Sequence, residues 1–366
     1  MDPRPALDAA QAAVVALPPE ASAVVVGGPG SGKSTALVAR LRALVGAYDS
    51  ADAALVLTPS RPTATAMRDS LALTVGRATS GPLARSIASF AYGVVRADAA
   101  RRGGPPPQLL TGGDEDQLLH DLLQGDADDE ADGIDRWPAS LPAPVRAAPA
   151  FRAELRVFLA ECTTLGLTPA QLRARGIAED RPVWTALASF AADYADVRER
   201  MRGAFRDAAG LVREAAGILR TPDAAGVLPA GLRAVLVDDA QELTVGGVDL
   251  LTALHERGIA VIAAGDPDLG SGSFRGARPE NFAAMVTRFG QPVVLDGAHR
   301  GTPFQRDLTR GIVSRIGASG VVSHRRAPDG VTPDGSVRTL VLRSAAEEID
   351  AIARILRERH VHDGVP

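Results

Sequence analysis

Lysine is all but missing from this chain. Among 40 lysines and arginines in 366 residues there is one lysine, Lys33. A compositional drift toward arginine has spared the one position where a compact ammonium serves better than a planar guanidinium. Cysteine is equally scarce: Cys162 stands alone, which excludes an internal disulfide and suits a reducing compartment. Its helical spacing from Phe151, Leu155 and Leu159 reads as core. No apolar run approaches the roughly 18 residues that span a bilayer. Met1 to Pro18 lacks the apolar centre of a secretory signal, so a cytoplasmic location with no membrane partner is expected. The net charge of −4 gives no global pull on nucleic acid, so any such contact has to come from a local arginine-bearing surface. With 46% hydrophobic residues and a mean hydropathy near zero, the chain is long enough for about two or three domains with a sizeable core.

The lone lysine sits in the most informative stretch. Gly27-Gly28-Pro29-Gly30-Ser31-Gly32-Lys33-Ser34-Thr35 follows the apolar run Ala23 to Val26 and precedes a helical pattern carrying Leu37, Leu41 and Leu44. Strand, glycine-rich loop and helix in that order, with G-x-x-x-x-G-K-S on Gly27, Gly32, Lys33 and Ser34, form a phosphate cradle. Glycines let backbone N–H groups face phosphate oxygens, and the helix N-terminus adds partial positive charge. Lys33 reaches the terminal phosphates, and the Ser34 hydroxyl can ligate Mg²⁺.

A second anchor lies some two hundred residues on. The apolar strand ending at Val237 delivers Asp238 and Asp239 to its C-terminal end, where Asp238 can hold Mg²⁺ through water and Asp239 can orient an attacking water. Leu55 to Leu57, Ile259 to Ala264 and Val293 to Leu295 read as further buried strands, and their alternation with helices predicts a parallel, doubly wound α/β sheet. Thr58-Pro59-Ser60-Arg61 ends one of them at the ligand-facing rim, where hydroxyls and an arginine suit phosphodiester oxygens or simply cap the next helix. Asp8 caps a short helix bearing Gln11, whose amide offers the donor and acceptor an adenine edge needs.

Between Arg96 and Phe205 the texture changes to Gly/Pro linkers, an acidic run from Gly125 to Asp135 expected to be a solvated loop, and amphipathic helices over 114–123, 151–165 and 183–201. This predicts a helical insertion, 97–205, within a motor-type α/β domain formed by 1–96 and 206–316. A linker is expected at 317–335. One strand, Val337 to Leu342, and one helix opened by a Ser344/Glu347 capping box follow. A strand and a helix cannot bury each other's apolar surfaces, so 336–366 reads as the opening of a second α/β domain.

These motifs together resemble the motor region of UvrD/Rep-like superfamily 1 DNA helicases, and in particular the RecB-like motors of the AdnA/AdnB helicase–nuclease. Gln11 matches the Q motif and Gly27 to Ser34 motif I. Thr58 to Arg61 match motif Ia, and Ser89-Phe90-Ala91 the DNA-contacting motif that follows. Asp238-Asp239-Ala240-Gln241 occupy motif II, Gly265 to Ala277 motif III, and Arg300 the arginine of motif IV. The resemblance implies a P-loop NTPase of RecA-like fold, with the 97–205 insertion as subdomain 1B and 336–366 as the truncated start of a second RecA-like domain. It implies ATP and Mg²⁺ as cofactors. It assigns water positioning to Asp239, phosphate sensing to Gln241 and charge stabilisation to Arg300. Thr58, Ser60, Arg61, Ser89, Phe90, Phe274 and Arg275 would contact DNA. Single-stranded DNA or duplex ends are the implied partners, with a second motor or nuclease subunit, in repair or recombination.

The sequence also departs from the family pattern. Asp239 stands where motif II has glutamate, one methylene shorter, and a misplacement of about 1 Å can cost on the order of a hundredfold in rate. Leu269 and Gly272 replace the glutamine and aromatic of motif III, and Ala298-His299 replace the residues before the arginine of motif IV. Motifs V and VI are not found, so weak hydrolysis by this chain alone is expected. The competing reading is a degenerate motor kept as a nucleotide- and DNA-binding scaffold or regulatory subunit.

Overall fold

The computed structural model describes residues 6–364 apart from 110–111, 201–204, 225, 271–276, 291, 317–320 and 327–330. The first of its two compact units comprises residues 1–300 and 316–326; the second comprises 301–315 and 327–366.

In the first unit the order is α1 (Ala9–Ala16), β1 (Ala23–Gly27), α2 (Lys33–Ala47), β2 (Ala54–Thr58), α3 (Arg61–Val75), β3 (Ala84–Ser86) and α4 (Ile87–Arg101). Then come β4 (Gln108–Leu109), α5 (Gly112–Ala131), α6 (Ala143–Arg146), α7 (Pro149–Thr164), α8 (Pro169–Ala178), α9 (Pro182–Arg200) and β5 (Phe205–Arg206). The unit closes with α10 (Ala208–Arg220), β6 (Ala234–Val237), α11 (Val245–Glu256), β7 (Ala260–Gly265), α12 (Pro279–Phe289) and β8 (Val293–Leu295).

Among the described residues the main sheet has six strands in the order β3-β2-β6-β7-β1-β8, and every pairing is parallel. The central strands are buried at every position because helices cover both faces, the usual reason parallel strands read as nearly unbroken hydrophobic runs. Side chains alternate between faces. Val24, Val26, Leu57, Val235, Val237 and Val261 enter the core shared with α4, α10, α11 and α12. Val25, Val56, Leu236 and Ile262 enter the core beneath α2 and α3. With the strands all parallel, their C-terminal ends share one edge, and every site motif of the sheet is delivered there.

The helices α5 to α9 have a core of their own, built on Leu119, Trp137, Leu155, Leu172, Phe190 and Tyr194. The acidic run expected as a loop is instead largely helical, since α5 continues to Ala131. Its carboxylates have partners: Trp137 Nε1 donates to the buried Asp126 at 2.7 Å, Arg136 lies 3.0 Å from the same side chain, and Gln124 donates to Asp128 one turn on at 2.9 Å. A parallel ladder of β4 with β5 joins the two ends of this helical region.

In the second unit, α13 (Pro303–Val313) begins with a reciprocal Thr302/Gln305 cap, and α14 (Ala345–His362) with Ser344 accepting from the Glu347 N–H at 3.2 Å. Glu347 does not complete the expected box; its carboxylate accepts from the N–H of Arg343 at 2.7 Å. The strand expected at Val337 to Leu342 is not formed: the segment is irregular and Val341 is 95% exposed. A strand needs a neighbour to hydrogen-bond, and among the described residues this segment has none. Ile349, Ile352 and Leu356 form the expected apolar stripe of α14 and are all exposed.

Candidate functional site

The phosphate-type loop leaves β1 at Gly27 and turns into α2 at Lys33. Gly30 and Gly32 adopt φ of +77° and +80°, conformations that side chains resist. At Gly27 a Cβ would overlap the Ser31 hydroxyl, and at Gly32 it would overlap the amide of Gln11. The Ser31 N–H donates to the Gly28 carbonyl at 3.2 Å, tightening the turn. Pro29 and Thr35 are exposed at the tip of the loop and in the first turn of α2. Lys33 Nζ folds back over the loop and donates to the carbonyls of Gly27 at 2.7 Å and Gly28 at 3.0 Å. Burial lowers its pKa, opposed most strongly by Asp266, then by Asp238 and Asp239.

The ends of β6 and β7 close on this loop. Ser34 Oγ donates to Asp238 Oδ2 at 2.7 Å, joining motifs 204 residues apart. Asp238 is 8% exposed; burial pushes its carboxyl pKa up, against the hydrogen bond from Ser34. Its second oxygen, Oδ1, is buried with no protein partner. A hydroxyl and a carboxylate with a spare buried lone pair are the donor set a hard divalent cation selects. Next to it, Asp239 holds φ +52°, a left-handed conformation that aspartate tolerates better than most residues. Gln241 Nε2 lies 3.5 Å from Asp239 Oδ1, while its Oε1 accepts from the Asp266 N–H at 3.1 Å. Gln241 therefore ties the end of β6 to that of β7.

On the other side of the loop, α1 begins with a capping box in which Asp8 accepts from the Gln11 N–H at 2.7 Å and Gln11 Oε1 accepts from the Asp8 N–H at 3.1 Å. Gln11 Nε2 donates to the Ser31 carbonyl at 3.2 Å, so both ends of its buried amide are engaged within the protein. The His299 N–H donates to the Gly30 carbonyl at 2.8 Å, and its imidazole lies 2.8 Å from Asp8 Oδ2. Arg300 follows immediately, with its Cβ 3.0 Å from where a Cβ on Gly30 would lie. Lys33, Ser34, Asp238, Asp239, Gln241, Gln11 and Arg300 are thus gathered around one loop.

Three groups there were given no role by sequence reasoning, although two of them lie within the motif III match. Asp266, just past β7, is buried, and so is His324, which comes from the expected linker; Asp268 is half-buried. His324 was masked by its Gly/Ser/Pro-rich surroundings. Asp266 had a usable signal, since it stands one residue past an apolar strand, as Asp238 does.

A second cleft opens at the ends of β2 and β3, lined in part by Arg61, Thr65, Arg68, Arg85, Ser89 and Tyr92. Ser60 caps α3, accepting from the Thr63 N–H at 3.3 Å, and the buried Thr58 donates to the Ser60 carbonyl at 2.9 Å. Both hydroxyls shape the turn; Arg61 reaches solvent. The expected contact from Phe90 is not supported. Ser86 caps α4, and this helix phase turns Phe90 inward to 1% exposure while leaving Ser89 on the cleft. Arg85, which sequence reasoning passed over, is pressed into the cleft wall, and burial and nearby Arg96 lower its pKa. Phe274 and Arg275 lie outside the described residues.

A family model of the UvrD/REP helicase N-terminal domain matches residues 7–290. The chain belongs to the UvrD/REP helicase family. That match takes in the Gly27–Ser34 loop, Asp238 to Gln241, the second cleft and the helical region, and ends before His299, Arg300 and His324. A search of curated proteins finds no match. The UvrD/REP domain supplies an ATP-dependent DNA helicase motor with a RecA-like P-loop fold, which the all-parallel sheet fits. No described helix is long and apolar enough to cross a membrane.

Proposed function

We propose that this UvrD/REP domain binds ATP with Mg²⁺ at the Gly27–Ser34 loop and couples its turnover to single-stranded DNA held in the arginine-lined cleft. The observation that carries the reading is the Ser34–Asp238 hydrogen bond, which sets a P-loop hydroxyl and a buried carboxylate with a spare oxygen against one another. Ser34 and Asp238 would hold the cation, whose positive charge offsets that developing on the phosphates. Lys33 exchanges its hold on the Gly27 and Gly28 carbonyls for phosphate oxygens. Asp239 orients water, Gln241 transmits the state of the site to Asp266, and Arg300 faces the loop as a stabilising charge. Gln11, bonded to Ser31, holds the adenine side of the loop. Arg61, Arg68 and Arg85 meet the DNA backbone.

By resemblance of motifs, the biological setting is DNA repair or recombination, beside a second motor or nuclease subunit as in the RecB-like AdnA/AdnB motors. Titrating a fluorescent ATP analogue into wild-type and Lys33→Ala protein tests the nucleotide site. Unchanged affinity in the variant would overturn it.

A second reading, a scaffold with little hydrolysis of its own, is favoured by Asp239 in place of glutamate and by the exposed Leu269 in place of glutamine. Restoring both in the full-length protein separates the two. A large gain in DNA-stimulated ATPase supports the scaffold, whereas unchanged turnover shows that the native geometry already works.

A further inference from the structure

Residues 321–326, beyond motif IV, belong to the first unit, and 323–325 form a short turn packed against β1 and β8. The carbonyl of His324 lies 3.6 Å from where a Cβ on Gly28 would sit, so the turn borders the phosphate loop. Its imidazole is buried, with Nε2 2.9 Å from Asp268 Oδ2 and 3.5 Å from Asp266 Oδ1. Arg325 grips both oxygens of Asp268, through Nε at 2.7 Å and through Nη2. The turn between the two aspartates is closed by the Asp268 N–H donating to Asp266 Oδ1 at 3.0 Å.

Two carboxylates and an imidazole can ligate a divalent cation, and these three side chains lie close enough together. The charges favour an ion-pair cluster instead. Arg325 already occupies both oxygens of Asp268, and an imidazolium at His324 balances Asp266. Buried carboxylates persist only when paired in this way.

Asp266 borders the loop through the N–H it donates to Gln241, and its charge, ahead of those of Asp238 and Asp239, opposes the lowering of the Lys33 pKa by burial. We infer that His324, with Arg325, is a positioning residue of the nucleotide site: it fixes the Asp266–Asp268 turn and supplies the counter-charge that frees Lys33 for a phosphate. The inference rests on the nucleotide-site reading given above. Lys33 feels Asp266, Asp238, Asp239 and Arg300, while Arg325 and His324 are set against Asp268 and Asp266. Loss of the imidazolium removes one positive charge from a site that has to take a polyanion.

Among the described residues, the charged groups set against His324 are few. Asp266 and Asp268 come from the end of β7, and Arg325, on its own turn, meets it through their shared partner Asp268. Burial disfavours the imidazolium, but the hydrogen bonds and charges of Asp266 and Asp268 outweigh it and hold the pKa above 6.5. The charge is therefore present at low pH and is lost as pH rises through that raised value.

The test is binding of a fluorescent ATP analogue with Mg²⁺ from about pH 6.5 to about pH 9. The proteins are wild type, His324→Gln, Arg325→Ala and Lys33→Ala, each checked by thermal melting. Comparing proteins at each pH cancels the titration of the ligand itself. His324→Gln should bind on the order of five-fold more weakly than wild type at the acidic end, with the two converging at the alkaline end. Arg325→Ala should weaken binding at every pH, because it loosens the turn without titrating in this range. Equal affinities for wild type and His324→Gln, or a deficit that does not change with pH, overturns the inference. If Lys33→Ala leaves affinity unchanged, the nucleotide-site reading fails; if only the His324→Gln profile tracks wild type, the positioning role alone fails.

Discussion

Ser34 Oγ donates to Asp238 Oδ2 at 2.7 Å while Asp238 Oδ1 stays buried without a protein partner. Burial raises this carboxyl's pKa above 3.8, so its ionised form is costly in the folded state. The cost is absent below the unfolded value and grows as pH rises through the raised folded one. Asp238→Asn should therefore raise the melting temperature of the nucleotide-free protein by about 1–3 °C. It should also lower the Mg²⁺-dependent gain in nucleotide affinity about tenfold or more. Scanning calorimetry and analogue titrations with and without Mg²⁺ check both halves.

Asp239 holds a left-handed backbone at φ +52° and carries the carboxylate assigned to water. Asp239→Gly relieves the backbone while removing the carboxylate. Stability should hold or rise by about 0.5 kcal/mol, and DNA-stimulated ATP turnover should fall on the order of a hundredfold. Loss of both together would mean that the side chain serves the fold.

Gly32 combines φ +80° with a direction that points at the Gln11 amide. Gly32→Ala should cost about 1–2 kcal/mol through the left-handed backbone alone. It should also push Gln11 off Ser31 and abolish nucleotide binding. Gln11→Ala, which spares the loop backbone, should weaken binding by a smaller factor. Denaturant unfolding paired with analogue binding separates the two effects.

The arginines of the second cleft make an electrostatic prediction. Replacing Arg61 and Arg68 by alanine should weaken binding of single-stranded oligonucleotides of any sequence alike. It should also flatten the dependence of log affinity on log salt by about 0.7 for each phosphate that is no longer neutralised. Fluorescence anisotropy at several salt concentrations reads the slope, and an unchanged slope would place the DNA elsewhere.

Local signals were legible wherever spacing alone encodes them. The glycine, lysine and serine positions of the phosphate loop, the buried runs at 23–27, 54–58, 234–237 and 260–265, and the caps by Asp8 and Ser344 all follow from neighbours a few residues apart. The acidic run misled because the helix over it depends on Trp137 and Arg136. Phe90 misled because a motif match does not give the phase of the helix that begins at Ile87.

The sequence by itself determined that a phosphate loop joins a buried strand to a helix and that two carboxylates end another such strand, because short-range periodicity and backbone sterics depend only on adjacent residues. The tertiary structure alone decided that β1, β6 and β7 deliver these groups to one edge. It also decided that Gln11 turns to Ser31 and that His324 is buried between Asp266 and Asp268. Those outcomes depend on which distant segments become neighbours, and the energy of a buried charge is set by partners that the order of residues does not name.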